Sequence, residues 1–329
     1  MDRHYINSLL DFFGHQKIYF SEKEILTTFF PDTQLTDNQK QHLSFLEKLL
    51  HEILNIEIEV GKLKDLLIFR GGTCLSLYYI PYRLSVDLDF AYRSDILKKS
   101  PSQTKSQFNR KIENINRAIR DSTIEICNKN GIETENIHFT GGGKSLRLTF
   151  LNGYDGSIDI TYPAFTCENY KKAKDIYIDS IENILGDKLV ILFSRENAKI
   201  TDLTDIFYIL KANDTRTNFN KKPNCLDVCG KAINTNDSCF DCILKQEKLD
   251  LSITKKRLYA KLDAEEVDIG LILGADPDTL NNYFKESPES RDRLNFMLPP
   301  AHIAAQIKDF TPFIRYIQDF TGKLNERAN

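Results

Sequence analysis

One short stretch constrains this chain more than any other: Arg70-Gly71-Gly72-Thr73, thirteen intervening residues, then Asp87-Leu88-Asp89. The apolar run Leu66 to Phe69 in front of it reads as a buried strand, and paired glycines let such a strand turn sharply. A backbone without side chains at the turn also lets a bulky anion come close. Thr73 then opens a helix, whose unpaired amides and dipole favour a phosphate. Asp87 and Asp89 fall on the next predicted strand, Val86 to Tyr92, two apart and therefore on one face. Adjacent carboxylates repel each other unless a cation lies between them. Mg²⁺ suits such hard oxygens, taking one or two protein carboxylates plus substrate phosphates.

A third acid stands in the middle of an apolar strand at Ile158-Asp159-Ile160. An acid there is unfavourable unless it is paired or bound to metal. Asp87, Asp89 and Asp159 together are the parts for metal-assisted phosphoryl chemistry, in which ions activate an attacking oxygen and neutralise a leaving pyrophosphate. Asp159 also reads as a general-base candidate, or as a residue that merely supports the site.

Around this segment the periodicity places helices and strands in a mixed order. Apolar positions from Leu43 to Leu54 recur at helical spacing, with Asp37 as the expected N-cap. Residues 107–127 read as an amphipathic helix, and residues 97–120 hold seven Lys/Arg against one acid. Ser145 to Leu151 and Ser157 to Tyr162 read as a hairpin about the turn residues between them. From Lys188 the chain is expected to be helical, and Asp276-Pro277 is a helix start. At 329 residues, two lobes are the natural expectation: an α+β catalytic lobe over 1–185 and a helical lobe over 186–329. The formal charge of −3 argues against a uniformly basic coat but not against a local basic groove. The longest apolar runs fall far short of the roughly 18 residues of a membrane span, and the first residues show no signal-peptide core. The expected setting is cytoplasmic.

The ordered set of Gly-Gly-Thr, the acid pair and a later acid-bearing strand resembles the DNA polymerase β-like nucleotidyltransferase superfamily. Within it, RGGTCLSLYYIPYRLSVDLDF is similar to the segment that marks the AbiEii/AbiGii toxin family of nucleotidyltransferases, through Gly71, Gly72, Thr73, Leu75, Tyr79, Arg83, Ser85, Asp87 and Asp89. Arg70 stands where that family often has lysine. Downstream, Lys188, Arg195, Asp202 and Asp205 fall on the family's Lys, Arg and Asp-x-x-Asp positions; Ile200-Thr201 replaces a more usual basic residue. The resemblance spans roughly residues 60–212. It implies a polymerase β-like α+β fold with a mixed sheet, and nucleotide transfer from an NTP to RNA, with the tRNA 3′ end as acceptor. It also implies a type IV toxin–antitoxin or phage-defence role with a cognate antitoxin. On it, Gly71, Gly72 and Thr73 with Arg83, Ser85 and Arg195 bind the nucleotide. Asp87 and Asp89, with Asp159, hold Mg²⁺, or Mn²⁺ as the alternative ion. Lys188 meets the triphosphate, and Asp202 and Asp205 complete the site. Two other readings remain at this level: nucleotidylation of a protein hydroxyl, and a nucleotide-binding regulator without catalysis.

Seven cysteines divide into three single residues in apolar segments (Cys74, Cys127, Cys167) and one cluster, Cys225-x₃-Cys229-x₉-Cys239-x₂-Cys242. Two close thiol pairs around a polar loop provide four ligands for tetrahedral Zn²⁺. The expectation is a structural zinc knuckle at 223–244, inserted in the helical lobe.

Overall fold

The computed structural model describes residues 36–59, 61–79, 83–93, 101–137, 143–149, 155–161, 169–194, 199–215, 249–287 and 310–326. These form two compact units. One contains residues 41–77 and 85–180. The other contains the described residues from Ile181 onward, together with residues 36–40, Tyr78, Tyr79, Arg83 and Leu84. No helix among the described residues is long and apolar enough to cross a membrane.

The first unit is α+β. Helix α1 (Asp37–Leu54) leads into a small ribbon of β1 (Glu57–Ile58) and β2 (Gly61–Lys62). Its cap is Thr36 rather than Asp37: Thr36 Oγ1 accepts from Gln39 N at 3.2 Å, and Gln39 Oε1 accepts from Thr36 N at 2.9 Å. This reciprocal box satisfies two backbone donors, which moves the cap one residue ahead of the expected aspartate. One helical turn, α2 (Leu63–Leu66), precedes β3 (Leu67–Arg70), which passes directly into α3 (Gly71–Tyr78). There follow β4 (Leu88–Tyr92), α4 (Lys105–Lys129), β5 (Glu133–Ile137), β6 (Gly143–Thr149), β7 (Asp155–Thr161), β8 (Tyr170–Ala173) and β9 (Ile176–Asp179).

Strands β3 to β9 form a seven-stranded mixed sheet in the order β5-β6-β7-β4-β3-β9-β8. The pairs β4–β7 and β3–β9 are parallel and the others antiparallel. Side-chain alternation sorts β4 into two sets. Leu88, Phe90 and Tyr92 are fully buried, on the face that receives α4, where the Tyr92 hydroxyl donates to Asn116 Oδ1. Asp89 and Ala91 point the other way. Helix α4 starts on a second capping box, Thr104 with Gln107, and buries Phe108, Ile112, Ile115 and Ile119 at helical spacing. The sheet is thus greasy on one face and carries its acids on the other.

The second unit is helical: α5 (Ile181–Ser194), α6 (Ile200–Thr215), α7 (Leu251–Glu265), α8 (Ile269–Gly274), α9 (Pro277–Glu286) and α10 (Thr311–Glu326). Helix α5 begins seven residues before Lys188, earlier than the sequence reading, and all its residues from Ile181 to Val190 are buried. Gly186 makes this possible. A Cβ there would lie 3.0 Å from Arg257 Cβ, so only glycine lets α7 pack this closely. The Arg257 guanidinium then pairs twice with Asp187, at 2.6 and 2.9 Å. The start of α9 is as the sequence predicts, with the Asp276 carboxylate accepting from Asp278 N and Thr279 N. Phe310 and Phe313 on and before α10 are buried and Phe313 packs 4.3 Å from Phe207 of α6, so this aromatic set is core.

Candidate active site

The α+β unit gathers its carboxylates by strand pairing. Arg70 on β3 faces Asp89 on β4, and Asp89 in turn is in register with Asp159 on β7. Neighbouring strands lie about 4.8 Å apart, so these two carboxylates, 70 residues apart in sequence, are side by side. Asp87 enters from the residue before β4. Its Oδ1 accepts from Ser157 N at 2.8 Å and lies 3.1 Å from Ser157 Oγ, which is 2.8 Å from Asp159 Oδ2. One hydroxyl proton therefore serves two carboxylates.

The turn from β3 into α3 is shaped around Asp89. Gly71 has φ 78°, and a Cβ built on it would sit 2.8 Å from Asp89 Cγ. Both facts require glycine: the left-handed backbone and the space held by the acid. Thr73 is fully buried. Its hydroxyl donates to the Asp87 carbonyl and lies 2.8 Å from Ser85 Oγ. Thr73 and Ser85 thus tie the start of α3 to the approach to β4 and fix where Asp87 stands. Their side chains point inward, and what α3 offers outward is its backbone N-terminus.

Cys74, next along α3, is fully buried, and burial together with the Asp179 carboxylate pushes its thiol well above the usual range. A thiol held neutral this way is a poor nucleophile. Asp179 at the end of β9 is also fully buried, with Arg70 Nε 3.7 Å from its Oδ2.

The helical unit holds the second group of expected site residues. Arg83 donates to Asp205 in a two-pronged contact, Nε to Oδ1 at 2.7 Å and Nη2 to Oδ2 at 2.8 Å. Lys188 Nζ is 2.6 Å from Asp202 Oδ1 and 2.7 Å from Asp205 Oδ2. Two cations and two anions make the cluster electrically balanced. Burial disfavours the Lys188 charge, but the Asp202 and Asp205 carboxylates outweigh it and raise its pKa. Burial likewise opposes ionisation of Asp205, and the Arg83 and Lys188 charges reverse that, holding its carboxyl below the usual range. Both partners are charged at neutral pH.

The structure therefore brings together Gly71, Gly72, Thr73, Ser85, Asp87, Asp89 and Asp159 in one unit, and Arg83, Lys188, Asp202 and Asp205 in the other. Arg195 lies outside the described residues, as do Cys225, Cys229, Cys239 and Cys242. Among the described residues no three His, Cys, Asp or Glu side chains converge on a point that would hold an ion by themselves. Sequence reading missed Ser157. Its signal was present: Ser157-Ile158-Asp159 repeats the Ser85-Val86-Asp87 spacing, with the hydroxyl and the acid on one face.

An acid pair beside a Gly-Gly turn that opens a helix, on a mixed sheet with a third acid in register, defines a nucleotidyltransferase. The model of a family described as nucleotidyl transferase AbiEii toxin, type IV TA system, matches residues 52–267. This chain belongs to that family. A comparison with curated proteins finds no match. Among solved structures, JHP933 from Helicobacter pylori is 18% identical, with a TM-score of 0.44 over 89% of this chain and 96% of that one. A second H. pylori protein, provisionally described as a nucleotidyltransferase, is 17% identical with a TM-score of 0.43, over 90% and 100%. Likeness at this level says nothing of substrate.

Proposed function

We propose that this protein transfers a nucleotide from an NTP to an RNA acceptor, the 3′ end of tRNA, as the toxin of a type IV toxin–antitoxin system whose cognate antitoxin is a further partner. The observation that carries the reading is the register of Asp89 with Asp159, linked through Ser157 to Asp87, beside the N-terminus of α3. The donor set fits Mg²⁺, which needs only one or two protein carboxylates when triphosphate oxygens complete its shell. Asp87 and Asp89, with Asp159 beside them, would hold the ion. Bound there, it would neutralise charge on the triphosphate and on the departing pyrophosphate.

The chain's own part is placement. The α3 amides and dipole receive phosphate oxygens, and Gly71 keeps that approach free of side chain. Lys188, held charged by Asp202 and Asp205, is assigned to the triphosphate on the strength of its sequence motif. The acceptor hydroxyl oxygen forms a bond to the α-phosphorus as the bond to the β-phosphate breaks. Pyrophosphate leaves and the hydroxyl proton passes to water. The test is incubation with each labelled NTP, Mg²⁺ and total tRNA. Label should enter RNA with the wild type and not with Asp87→Ala/Asp89→Ala. No transfer by the wild type, or equal transfer by the variant, would refute the proposal, and label that survives RNase in a protein would move the acceptor to a protein hydroxyl.

A further inference from the structure

The acid-bearing face of the sheet does not end at the carboxylates. Asp89 and Ala91 of β4 alternate onto it, and Arg93, the residue after the strand, continues the same line. Pairing carries the face across the sheet: Ala91 opposes Ile68, Ile68 opposes Tyr177, and Tyr177 opposes Lys172. Tyr170, two before Lys172, shares that side. The side chains meet accordingly. The Arg93 guanidinium carbon is 4.1 Å from the centre of the Tyr177 ring and 5.2 Å from that of Tyr170. The two rings stand edge to face, 5.2 Å apart at 84°. Lys172 Nζ is 5.8 Å from the Tyr177 ring centre, and Arg93 Nη1 donates to the Asp65 carbonyl at 3.2 Å.

From this we infer that Arg93, Tyr170, Tyr177 and Lys172 form the subsite that grips the unpaired end of the RNA acceptor. The inference rests on the RNA-transfer reading and says where the acceptor lies. Three features single out RNA. First, a planar cation held against an aromatic ring is a surface on which unstacked bases stack, and single-stranded RNA is read in this way. Second, the cluster is half-buried, with Lys172 exposed, so it is open on one side as a binding platform must be. Third, the cluster's own charge is positive: Arg93 and Lys172 both lie on it, while Asp175 of the hairpin turn is taken up by Lys64 at 3.0 Å and Lys174 by Glu47 at 3.9 Å. Holding Arg93 against two rings also removes rotamer freedom before RNA arrives, which favours binding.

The test uses the full chain carrying Asp87→Asn/Asp89→Asn, so that binding is read without turnover, and total tRNA as the probe in a filter assay. Tyr177→Leu and Arg93→Lys should each weaken tRNA binding by roughly tenfold or more, while Tyr177→Phe, which keeps the ring, retains it. NTP affinity by calorimetry, read for each substitution in the chain with Asp87 and Asp89 intact, should equal that of the wild type. Lys172→Gln should lower the slope of log binding constant against log salt by about one. Equal tRNA binding by Tyr177→Leu and Arg93→Lys, with wild-type label still entering tRNA, would overturn the subsite and leave the transfer reading standing. Loss of NTP affinity or a fallen Tm in parallel with tRNA binding, in Arg93→Lys as well as Tyr177→Leu, would make the cluster a structural clamp and overturn it too. Wild-type label found in protein instead of RNA would overturn both.

Discussion

Asp205→Asn is the most informative single change, because the native cluster balances charge in a fully buried place. Asp205 is 0% exposed and accepts from Arg83 twice, at 2.7 and 2.8 Å, with Lys188 at 2.7 Å. The amide keeps the shape but removes the negative charge. Lys188 retains Asp202, at 2.6 Å, whereas the buried Arg83 loses the carboxylate that receives both its prongs. Breaking a buried pair in this way costs about 3–5 kcal/mol, because a buried charge is left uncompensated. At about 2–4 °C per kcal/mol for a unit of this size, Tm falls by about 10 °C. The assay is thermal unfolding by circular dichroism at pH 7 without nucleotide. Replacing both members, Arg83→Met/Asp205→Leu, should recover most of the loss, since an apolar pair of similar volume is often as stable as the ions. The pH dependence has a definite sign. Asp205 is held below its unfolded value, so its share of stability is complete above about pH 4 and is lost as pH falls below that. The gap between wild type and Asp205→Asn therefore narrows in acid. A Tm within about 2 °C of wild type at pH 7, or a double variant no better than the single one, would refute the buried-charge argument.

Gly71→Ala should lose label transfer at least as fully as a carboxylate variant and be destabilised by about 1–2 kcal/mol for the left-handed backbone alone, read by transfer assay and by Tm together. Lys188→Met should flatten the alkaline side of the stability profile: with its pKa raised, the lysine's contribution is complete below about pH 10.4 and lost only as pH rises further, which denaturant titrations from pH 8 to 11 would show. The four-cysteine cluster should hold one zinc per chain by elemental analysis of purified protein, and Cys239→Ser/Cys242→Ser should abolish it; a metal content unchanged by the double variant would remove the knuckle.

Much of the α+β unit was legible because its signals are local. The run before Gly71-Gly72 reads as a buried strand, and β3 is one; Asp89 falls on the strand expected for it, whereas Asp87 stands one residue ahead of β4. The hairpin of β6 and β7 and the start of α9 were read from turn and cap residues whose chemistry acts within a few positions. Three helix starts differ from the sequence reading: α3 begins at Gly71 rather than Thr73, and the first helix and α5 are displaced as well. At the first helix, Thr36 and Asp37 are both good caps, and Gln39 decides for threonine. At α5, the helix starts at Ile181 rather than Lys188, and Gly186 within it is where Arg257 packs. The β8–β9 hairpin went unread, as its Lys-rich, half-exposed strands carry no clean alternation.

By itself, then, the sequence determined the chemistry on offer: which residues can hold phosphate and cation, and that they sit on strand ends and a helix start. Tertiary structure alone decided which of them share a place and what each does. Register between β4 and β7 sets Asp159 against Asp89, and no spacing over 70 residues encodes that. Burial turned Thr73, Ser85 and Arg83 inward, making tethers of residues that read as ligands. The reason is physical. Local structure follows from forces that act over a few residues, whereas the partners of a buried hydroxyl or charge are fixed only when distant segments close around it and water can no longer satisfy it.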